Sequence, residues 1–194
     1  MKCKICGGEG QFRIRSYNLT LCRDCFMRRL HRRVEETVHR YRLFRKEEEL
    51  FVIRWEGNSR ALSALLSEMG YKVRDVESED EIPSDGVVVK GTLLEDAVAN
   101  ALWQILTWDI RDDILPSYIE NGRKVVKPLC LLIEEELAIY REIKGIDEEF
   151  PKDNVKEKLR TLGISSIGFW LSFYKSLVKD LTYRQNLLLI INTP

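Results

Sequence analysis

Apolar and polar residues alternate in blocks between residues 47 and 146, and the blocks predict strands and helices in turn. Short apolar runs bounded by polar or glycine residues predict strands at residues 50–53, 71–76, 86–90 and 124–126. Longer stretches with apolar residues at helical spacing predict helices at residues 59–69, 93–110 and 131–144. Because strands that alternate with helices are typical of parallel sheets, the pattern predicts a reduced Rossmann-like α/β domain with helices on the faces of the sheet.

Helical periodicity also flanks this domain on both sides. Before it, residues 24–44 predict a long helix whose apolar stripe packs on the domain. After it, helices are expected at residues 152–162 and 167–182, which makes the carboxyl-terminal region helical. The last helix has a wide apolar face that includes Trp170, and this face either packs into the core or contacts another chain. The chain is therefore predicted to consist of three parts, residues 1–46, 47–146 and 147–194.

Four of the five cysteines form two Cys-x-x-Cys pairs separated by fifteen residues. Two such pairs provide four thiolates for one metal ion, in the closed tetrahedral arrangement of a structural zinc site. Short alternating segments between the pairs predict the two strands of a zinc ribbon. Two disulfides would also fit this spacing, but a cytoplasmic chain keeps its thiols reduced. The isolated Cys130 is expected to be a buried apolar residue. The predicted zinc ligands are Cys3, Cys6, Cys22 and Cys25.

Charge is distributed unevenly, although the net charge at pH 7 is zero. Residues 1–46 contain 13 Lys and Arg against 4 Asp and Glu, whereas the remainder contains 18 against 27. A basic head of this kind favours a polyanionic partner, most often nucleic acid, and the alternative is a solvated helix surface without a partner. His31 and His39 lie on the same helix surface and are interpreted as solvated side chains. The arginines expected to face outward and contact phosphates are Arg28, Arg29, Arg32, Arg33 and Arg40.

Composition is that of an ordinary globular protein, with 44% hydrophobic and 32% charged residues. No apolar stretch approaches the roughly 20 residues that cross a bilayer, and the first residues contain no apolar signal-peptide core. The sequence therefore predicts a cytoplasmic protein without a membrane segment.

Three segments of the chain share motifs with a known family. The first carries Tyr17-Asn18-Leu19-Thr20-Leu21-Cys22-Arg23-Asp24-Cys25-Phe26 and continues into Arg32-Arg33-Val34-Glu35 and Tyr41-Arg42-Leu43-Phe44. The last carries Val125-Val126-Lys127-Pro128-Leu129, Glu135-Glu136-Leu137-Ala138-Ile139-Tyr140 and Lys144-Gly145-Ile146. Between them stands Gly91-Thr92-Leu93-Leu94-Glu95-Asp96. These motifs resemble those of the tRNA 2-thiolation proteins, the thiouridine synthetases of the PP-loop ATPase superfamily, which have Gly-His-Asn-Leu-Asp-Asp at the middle position.

The resemblance implies a PP-loop-like fold for the α/β domain. Family members adenylate the target uridine with ATP and deliver sulfur through catalytic cysteines, in some cases with an iron–sulfur cluster. Their ATP site is a Ser-Gly-Gly-Lys-Asp-Ser loop, whose backbone amides and lysine hold pyrophosphate at the start of a helix. In this chain the same place reads Arg54-Trp55-Glu56-Gly57-Asn58-Ser59-Arg60, without the paired glycines and the lysine. The comparison therefore predicts a loop that does not bind phosphate.

Other chemical features of the family are also missing. Members carry a catalytic Cys-x-x-Cys in the middle of the domain, a further cysteine later and a second zinc ribbon near the carboxyl end, whereas this chain has only Cys130 beyond its amino-terminal cysteines. The acidic pair Glu95 and Asp96 is kept, and its simpler role is to cap the helix that begins there. The leading interpretation is a degenerate, non-catalytic homologue that binds tRNA, a catalytic thiolation paralogue, or both, and self-association is a further possibility. The alternatives are a divergent ATP-dependent tRNA-modifying sulfurtransferase and a zinc-ribbon DNA-binding regulator.

Overall fold

Seven strands and five α-helices make up the described part of the chain, which comprises residues 1–149 and 166–191 of a computed structural model, with side chains described up to residue 183. The strands are β1 (Phe12–Ile14), β2 (Leu19–Leu21), β3 (Glu49–Ile53), β4 (Lys72–Val76), β5 (Val87–Val89), β6 (Ser117–Glu120) and β7 (Arg123–Val126). The helices are α1 (Arg23–Tyr41), α2 (Ser59–Glu68), α3 (Leu94–Thr107), α4 (Glu134–Lys144) and α5 (Ile167–Ile191).

The larger sheet has five strands in the order β4-β3-β5-β7-β6. The first four are parallel, with Leu50 of β3 paired to Val73 on one side and to Val87 on the other. On the next strand pair, Val88 of β5 lies opposite Val125 of β7. The α/β class and the reduced parallel sheet predicted from the sequence are therefore confirmed.

The edge strand β6 departs from the sequence-based prediction. It pairs antiparallel with β7, and its Tyr118 lies opposite Val125. The connection between the two strands is Asn121-Gly122, and both residues have left-handed φ values, 52° and 78°. Two such residues form a type I′ turn, whose twist matches that of a β-hairpin. The Asn-Gly dipeptide is a signal for this hairpin that the spacing of apolar residues does not contain.

Buried residues of the sheet and helices form two apolar clusters. The larger cluster contains Leu50 and Val52 of β3 together with residues from all five helices. The smaller cluster contains Phe51 and Ile53, which point to the opposite face because side chains alternate along a strand. Its other members in the described part of the chain come from neighbouring strands and from Ile82, and none is α-helical. Most of the buried apolar residues of the described helices thus belong to the larger cluster.

The amino-terminal module consists of the β1–β2 hairpin and the start of α1. Phe12 pairs with Leu21 in this hairpin, and α1 follows directly after Cys22. Ile14 and Phe26 are buried in the larger cluster, so the module packs on the body of the protein. The helix ends at Tyr41, three residues before the predicted end, because Arg42 adopts a left-handed conformation.

The carboxyl-terminal helix α5 places one apolar stripe inside the protein. Trp170, Tyr174 and Val178 recur every four residues and are all buried, so core packing within the chain accounts for this stripe. The helix predicted at residues 152–162 lies outside the described residues, and the three-part division of the chain stays a prediction. Among the described helices, none has the length and apolar character needed to span a membrane.

Candidate functional site

Four cysteine sulfurs meet at the start of α1 and form a candidate metal centre. Cys3 and Cys6 precede β1, whereas Cys22 and Cys25 lie at the first turn of the helix. The four Sγ atoms all lie within 4.8 Å of one another, and those of Cys6 and Cys22 are 3.7 Å apart. None of the four is in a disulfide. The hairpin and the helix therefore bring together the four predicted ligands in a geometry that can hold one metal ion.

Groups around these sulfurs favour their binding to a cation. Hydrogen bonding from the Cys6 backbone is the largest influence that lowers the pKa of Cys3 to about 6, and thiolate is the form that binds metals. Arg28 Nη2 donates a hydrogen bond of 3.4 Å to Cys25 Sγ. Burial raises the pKa of Cys25 to about 12, and a bound metal ion would oppose this effect by stabilising the thiolate.

Two of the predicted RNA-binding arginines make ion-pair or aromatic contacts within the protein. Contrary to prediction, Arg33 does not face outward: its guanidinium forms an ion pair with the buried Glu136 and donates to the Leu131 carbonyl. It also donates a 3.0 Å hydrogen bond to the Tyr17 hydroxyl. Although burial opposes its charge, Glu136 keeps the pKa of Arg33 above its usual value. Arg29 is half-buried, with its guanidinium 5.4 Å from the centre of the Tyr17 ring. Arg33 therefore joins α1 to α4.

The remaining three arginines of the predicted set are exposed. Arg28 contacts the metal centre as described above, and Arg32 forms a 2.8 Å ion pair with the glutamate one turn later. Arg40 is exposed and makes no ion pair within the described residues. His39 is exposed as expected, but His31 is half-buried, and its Nε2 has no hydrogen-bond partner in the described part of the chain. Only part of the predicted phosphate-binding surface is thus available.

The loop between β3 and α2 packs closely against the segment that follows β5. Asn58 adopts a left-handed conformation with φ of 64°, and its buried amide donates to the Gly91 carbonyl at 2.8 Å. Arg141 Nη2 donates to the Asn58 side-chain oxygen at 2.6 Å. A Cβ atom at Gly91 would come within 2.7 Å of the Gly57 carbonyl, so the two backbones pack closely.

Two further residues of this loop, one bulky and one acidic, contact residues that directly follow β4 and β5. Trp55 is exposed, and its indole N–H donates to the Glu77 carbonyl at 3.0 Å. Glu56 is half-buried and lies 3.8 Å from the Lys90 ammonium, which also pairs with Glu120 at 2.9 Å. Burial raises the pKa of Glu56. The positive charge of Lys90, which directly follows β5, is thus already balanced by two carboxylates of the protein.

The carboxylate of Glu148 lies at the amino end of α2. The backbone N–H groups of Arg60 and Ala61 each donate to one of its oxygens, both at 3.1 Å. Arg141 donates to the Glu148 carbonyl at 2.7 Å and lies 3.4 Å from the carboxylate, and Arg60 donates to the Asp147 carbonyl at 2.7 Å. The start of a helix attracts anions because its amides and its dipole point at them. A carboxylate from the chain itself therefore occupies the anion position of this helix.

The acidic pair at the start of α3 serves two helices. Asp96 accepts a 3.1 Å hydrogen bond from the Leu93 N–H and caps α3, as expected. Glu95 is buried and accepts a 3.0 Å hydrogen bond from the N–H of Glu134, the first residue of α4, so it also caps a second helix. Burial raises the pKa of Glu95 to about 7.

Cys130 is fully buried, as expected from its isolation in the sequence. Burial raises the pKa of its thiol to about 12. Because the thiolate is the nucleophilic form, Cys130 has the character of an unreactive core residue.

The fold and the site together define a class of protein, a four-cysteine module joined to an α/β domain with a mainly parallel sheet. A solved structure of similar fold is that of the U34-tRNA thiolase NcsA from Methanococcus maripaludis, described with its [4Fe-4S] cluster. The TM-score is 0.62, and the match covers 92% of this chain and 88% of that chain at 13% sequence identity. At this identity the likeness establishes the fold alone.

Sequence comparison shows similarity to tRNA 2-thiolation proteins over part of the chain. Residues 2–27 match the model of the N-terminal LIM domain of the 2-thiouridine synthetase TtuA. The tRNA-5-methyluridine(54) 2-sulfurtransferases of Pyrococcus horikoshii and Thermotoga maritima are 34% and 30% identical to this chain over 74 residues, which is 38% of the chain and 24% of each relative. That of Thermus thermophilus is 34% identical over 73 residues, 37% of the chain and 23% of the relative. Over part of its length the chain is similar to the tRNA 2-thiolation proteins, and the match spans about a quarter of the length of those sulfurtransferases.

Proposed function

We propose that this chain is a non-catalytic homologue of the tRNA-thiolation enzymes, with a structural zinc ion in its amino-terminal module and tRNA as its ligand. The observation that carries the proposal is the Glu148 carboxylate at the start of α2. In the family that the sequence resembles, amides at this position hold the pyrophosphate of ATP. Here the same amides are already hydrogen-bonded within the chain.

A nucleotide would have to displace Glu148 before its phosphates could reach α2. Displacement breaks two amide hydrogen bonds and separates the carboxylate from the buried Arg141. The loop has no lysine that would compensate by binding phosphate, and Trp55 and Glu56 add bulk and negative charge there. The free energy of nucleotide binding is therefore unfavourable at this site.

Sulfur transfer through cysteine also lacks the residues it needs. Cys130 is the only cysteine of the sequence beyond residue 25, and burial keeps its thiol protonated. A buried neutral thiol is a poor nucleophile. The other four cysteines converge on one another, in a module that is far in sequence from the loop after β3.

Zinc is the metal that this sulfur arrangement suits. With Zn–S bonds of about 2.3 Å, the sulfurs of a tetrahedral site lie about 3.8 Å apart. The separation of 3.7 Å between Cys6 and Cys22 agrees with this value. An iron–sulfur cluster also takes four cysteines, but it places several iron and sulfide ions between them and holds their sulfurs farther apart. A closed four-thiolate zinc site has a structural role.

A role in binding tRNA fits a homologue that has the module but not the ATP loop. The relatives are named as tRNA 2-sulfurtransferases, and the basic head of this chain favours a polyanion. In this proposal the protein holds tRNA, either by itself, as a self-associated chain, or beside a catalytic thiolation paralogue.

Nucleotide binding is the decisive test. Titration calorimetry with ATP and Mg²⁺ should detect no binding by the parent protein up to concentrations of about 1 mM, the upper range of substrate affinities for enzymes. A dissociation constant in the micromolar range would reject the non-catalytic assignment and favour an ATP-dependent sulfurtransferase. Glu148→Ala should gain weak binding of inorganic pyrophosphate, because it frees the α2 amides. The matched control is Glu149→Ala, which removes an exposed carboxylate next to it and should gain none.

A further inference from the structure

A groove between the carboxyl end of α1 and the amino ends of the parallel strands is lined by unusually many cations. Arg42, Arg45 and Lys46 come from the segment between α1 and β3, and Lys124 comes from β7. Tyr71, directly before β4, forms part of the wall. This surface is called the basic groove below.

The positive charge of the basic groove is only partly balanced, because its lining contains four Lys and Arg residues but two glutamates. None of Arg42, Arg45, Lys46 and Lys124 makes an ion pair within the described residues. Two glutamates also line the groove, and one of them, Glu48, accepts a 2.6 Å hydrogen bond from the Arg45 backbone N–H. The other glutamate lies on α1, next to the exposed Arg40 side of the helix. The groove therefore presents a local excess of positive charge.

The backbone that carries these cations is held in place. Arg42 ends α1 in a left-handed conformation with φ of 49°, and the next N–H, that of Leu43, donates to the Val38 carbonyl at 3.0 Å. Leu43 and Phe44 are buried, and Phe44 packs edge-on against Tyr71 with ring centres 5.2 Å apart. The cationic side chains thus extend from a fixed turn, which lowers the entropy that a ligand must overcome on binding.

We infer that the basic groove binds the phosphodiester backbone of RNA. Three of its cations follow one another along the segment between α1 and β3, and the fourth lies on β7. Because they are spread along a surface groove, they match a series of phosphates better than a single anion. A row of like charges repels itself, and a polyanion relieves this repulsion and releases its own counterions. The inference rests on the proposed function and deepens it, because it places the RNA contact beyond the end of α1, whereas Arg29 and Arg33 are used inside the protein.

Paired charge reversals on two surfaces test this inference. Arg42→Glu with Lys46→Glu alters the groove, and the matched control, Arg74→Glu with Lys179→Glu, makes the same change of charge at exposed positions of β4 and α5. Fluorescence anisotropy with an unmodified tRNA transcript should give at least a 10-fold weaker affinity for the groove variant at about 0.1 M salt, and less than a 3-fold change for the control. Because each lost phosphate contact lowers the salt slope by about 0.7–0.9, the slope should be shallower by about 1.5 in the groove variant alone.

The outcomes separate the groove from the proposed function. If the parent binds tRNA and both variants weaken binding equally, or neither does, the groove is not the contact and the tRNA-binding proposal stands. If the parent does not bind tRNA at low salt, the inference about the groove and the tRNA-binding proposal both fail. Lys46→Gln with Lys124→Gln provides a second variant that avoids introducing carboxylates, and circular dichroism and metal content check that each protein is folded. This neutral variant should lose at least 3-fold in affinity, and parent-like affinity in it would overturn the inference.

Discussion

Glu95 is a carboxyl group whose charge is opposed by its surroundings. One oxygen accepts the Glu134 N–H, and the other has no hydrogen-bond partner in the described part of the chain. Burial raises its pKa to about 7, whereas an unfolded chain has a glutamate pKa near its ordinary value. Between these two pKa values the folded protein holds a proton that the unfolded chain has released. The contribution of Glu95 to the free energy of unfolding is therefore fully present below the ordinary glutamate pKa, and it is lost as pH rises through about 7.

Glu95→Gln should remove this pH dependence. The amide oxygen can still accept the Glu134 N–H, and the variant has no charge to bury. We expect the variant to be more stable than the parent by on the order of 2 kcal/mol at pH 8, with little difference near pH 5. Urea unfolding at several pH values measures this difference. Asp96→Asn, at the half-buried cap beside it, is the control and should not reproduce the trend. A Gln variant whose difference from the parent is constant from pH 5 to 8 would contradict the expected pH dependence.

At the scale of elements, the module is fastened to α4 by carboxylates of its first turn. Glu136 pairs with Arg33, and Glu135 accepts the backbone N–H groups of Arg15 and Ser16 at 2.6 and 3.0 Å. Although burial acts in the other direction, these amides lower the pKa of Glu135 below its usual value. Removal of Glu136 leaves the Arg33 guanidinium without its acceptor in a buried place, whereas water can replace Glu135 at the exposed Arg15 and Ser16. The junction should therefore depend more strongly on Glu136 than on Glu135.

The Arg33–Glu136 pair should show the behaviour of a buried ion pair. Glu136→Leu leaves the Arg33 guanidinium buried beside an apolar group and should lower the free energy of unfolding by about 3–5 kcal/mol. Adding Arg33→Met should recover most of this loss, because both charges are then absent. The comparison is Arg32→Met, which breaks an exposed pair and should cost less than about 1 kcal/mol. Equal losses in Glu136→Leu and Arg32→Met, measured by urea unfolding of the metal-loaded proteins, would exclude a buried pair.

Features that depend on local sequence patterns were predictable, whereas features that depend on contacts between distant residues were not. The cysteine cluster and the strands β3, β4, β5 and β7 were predictable, because cysteine spacing and apolar runs are local signals. Helical periodicity correctly assigned the apolar stripe of α1 but placed Arg33 at the surface. Its partner Glu136 is 103 residues away, and a pair so distant has no local signal. The contact of Glu148 with α2 was unpredictable for the same reason, since 88 residues separate it from Arg60.

At the scale of the whole molecule, the metal centre and the body share one core. Cys3 and Cys25 belong to the same apolar cluster as Leu50 of β3 and Tyr140 of α4. The free energy of metal binding is therefore coupled to packing well beyond the module. Loss of the metal should weaken the whole protein as well as the hairpin.

Cys22→Ser tests this coupling. The purified parent should contain one zinc per chain, whereas the variant should lose the metal and several kcal/mol of stability, because a structural site contributes folding free energy directly. Cys130→Ala is the control, since it removes a cysteine that lies outside the cluster, and it should keep full zinc content. Elemental analysis and thermal unfolding measure both effects. Zinc retained in Cys22→Ser, or lost in Cys130→Ala, would show that the four sulfurs are not the ligands.

The carboxylate at the start of α2 also has a consequence for competition with nucleotides in a cell. Glu148 is part of the chain, so its local concentration at the α2 amides is fixed by the fold and does not change with growth or starvation. Tethered groups of this kind reach effective concentrations of about millimolar or above, which equals or exceeds what a free ligand of similar intrinsic affinity can offer. The folded state of this protein should therefore be indifferent to the energy status of the cell.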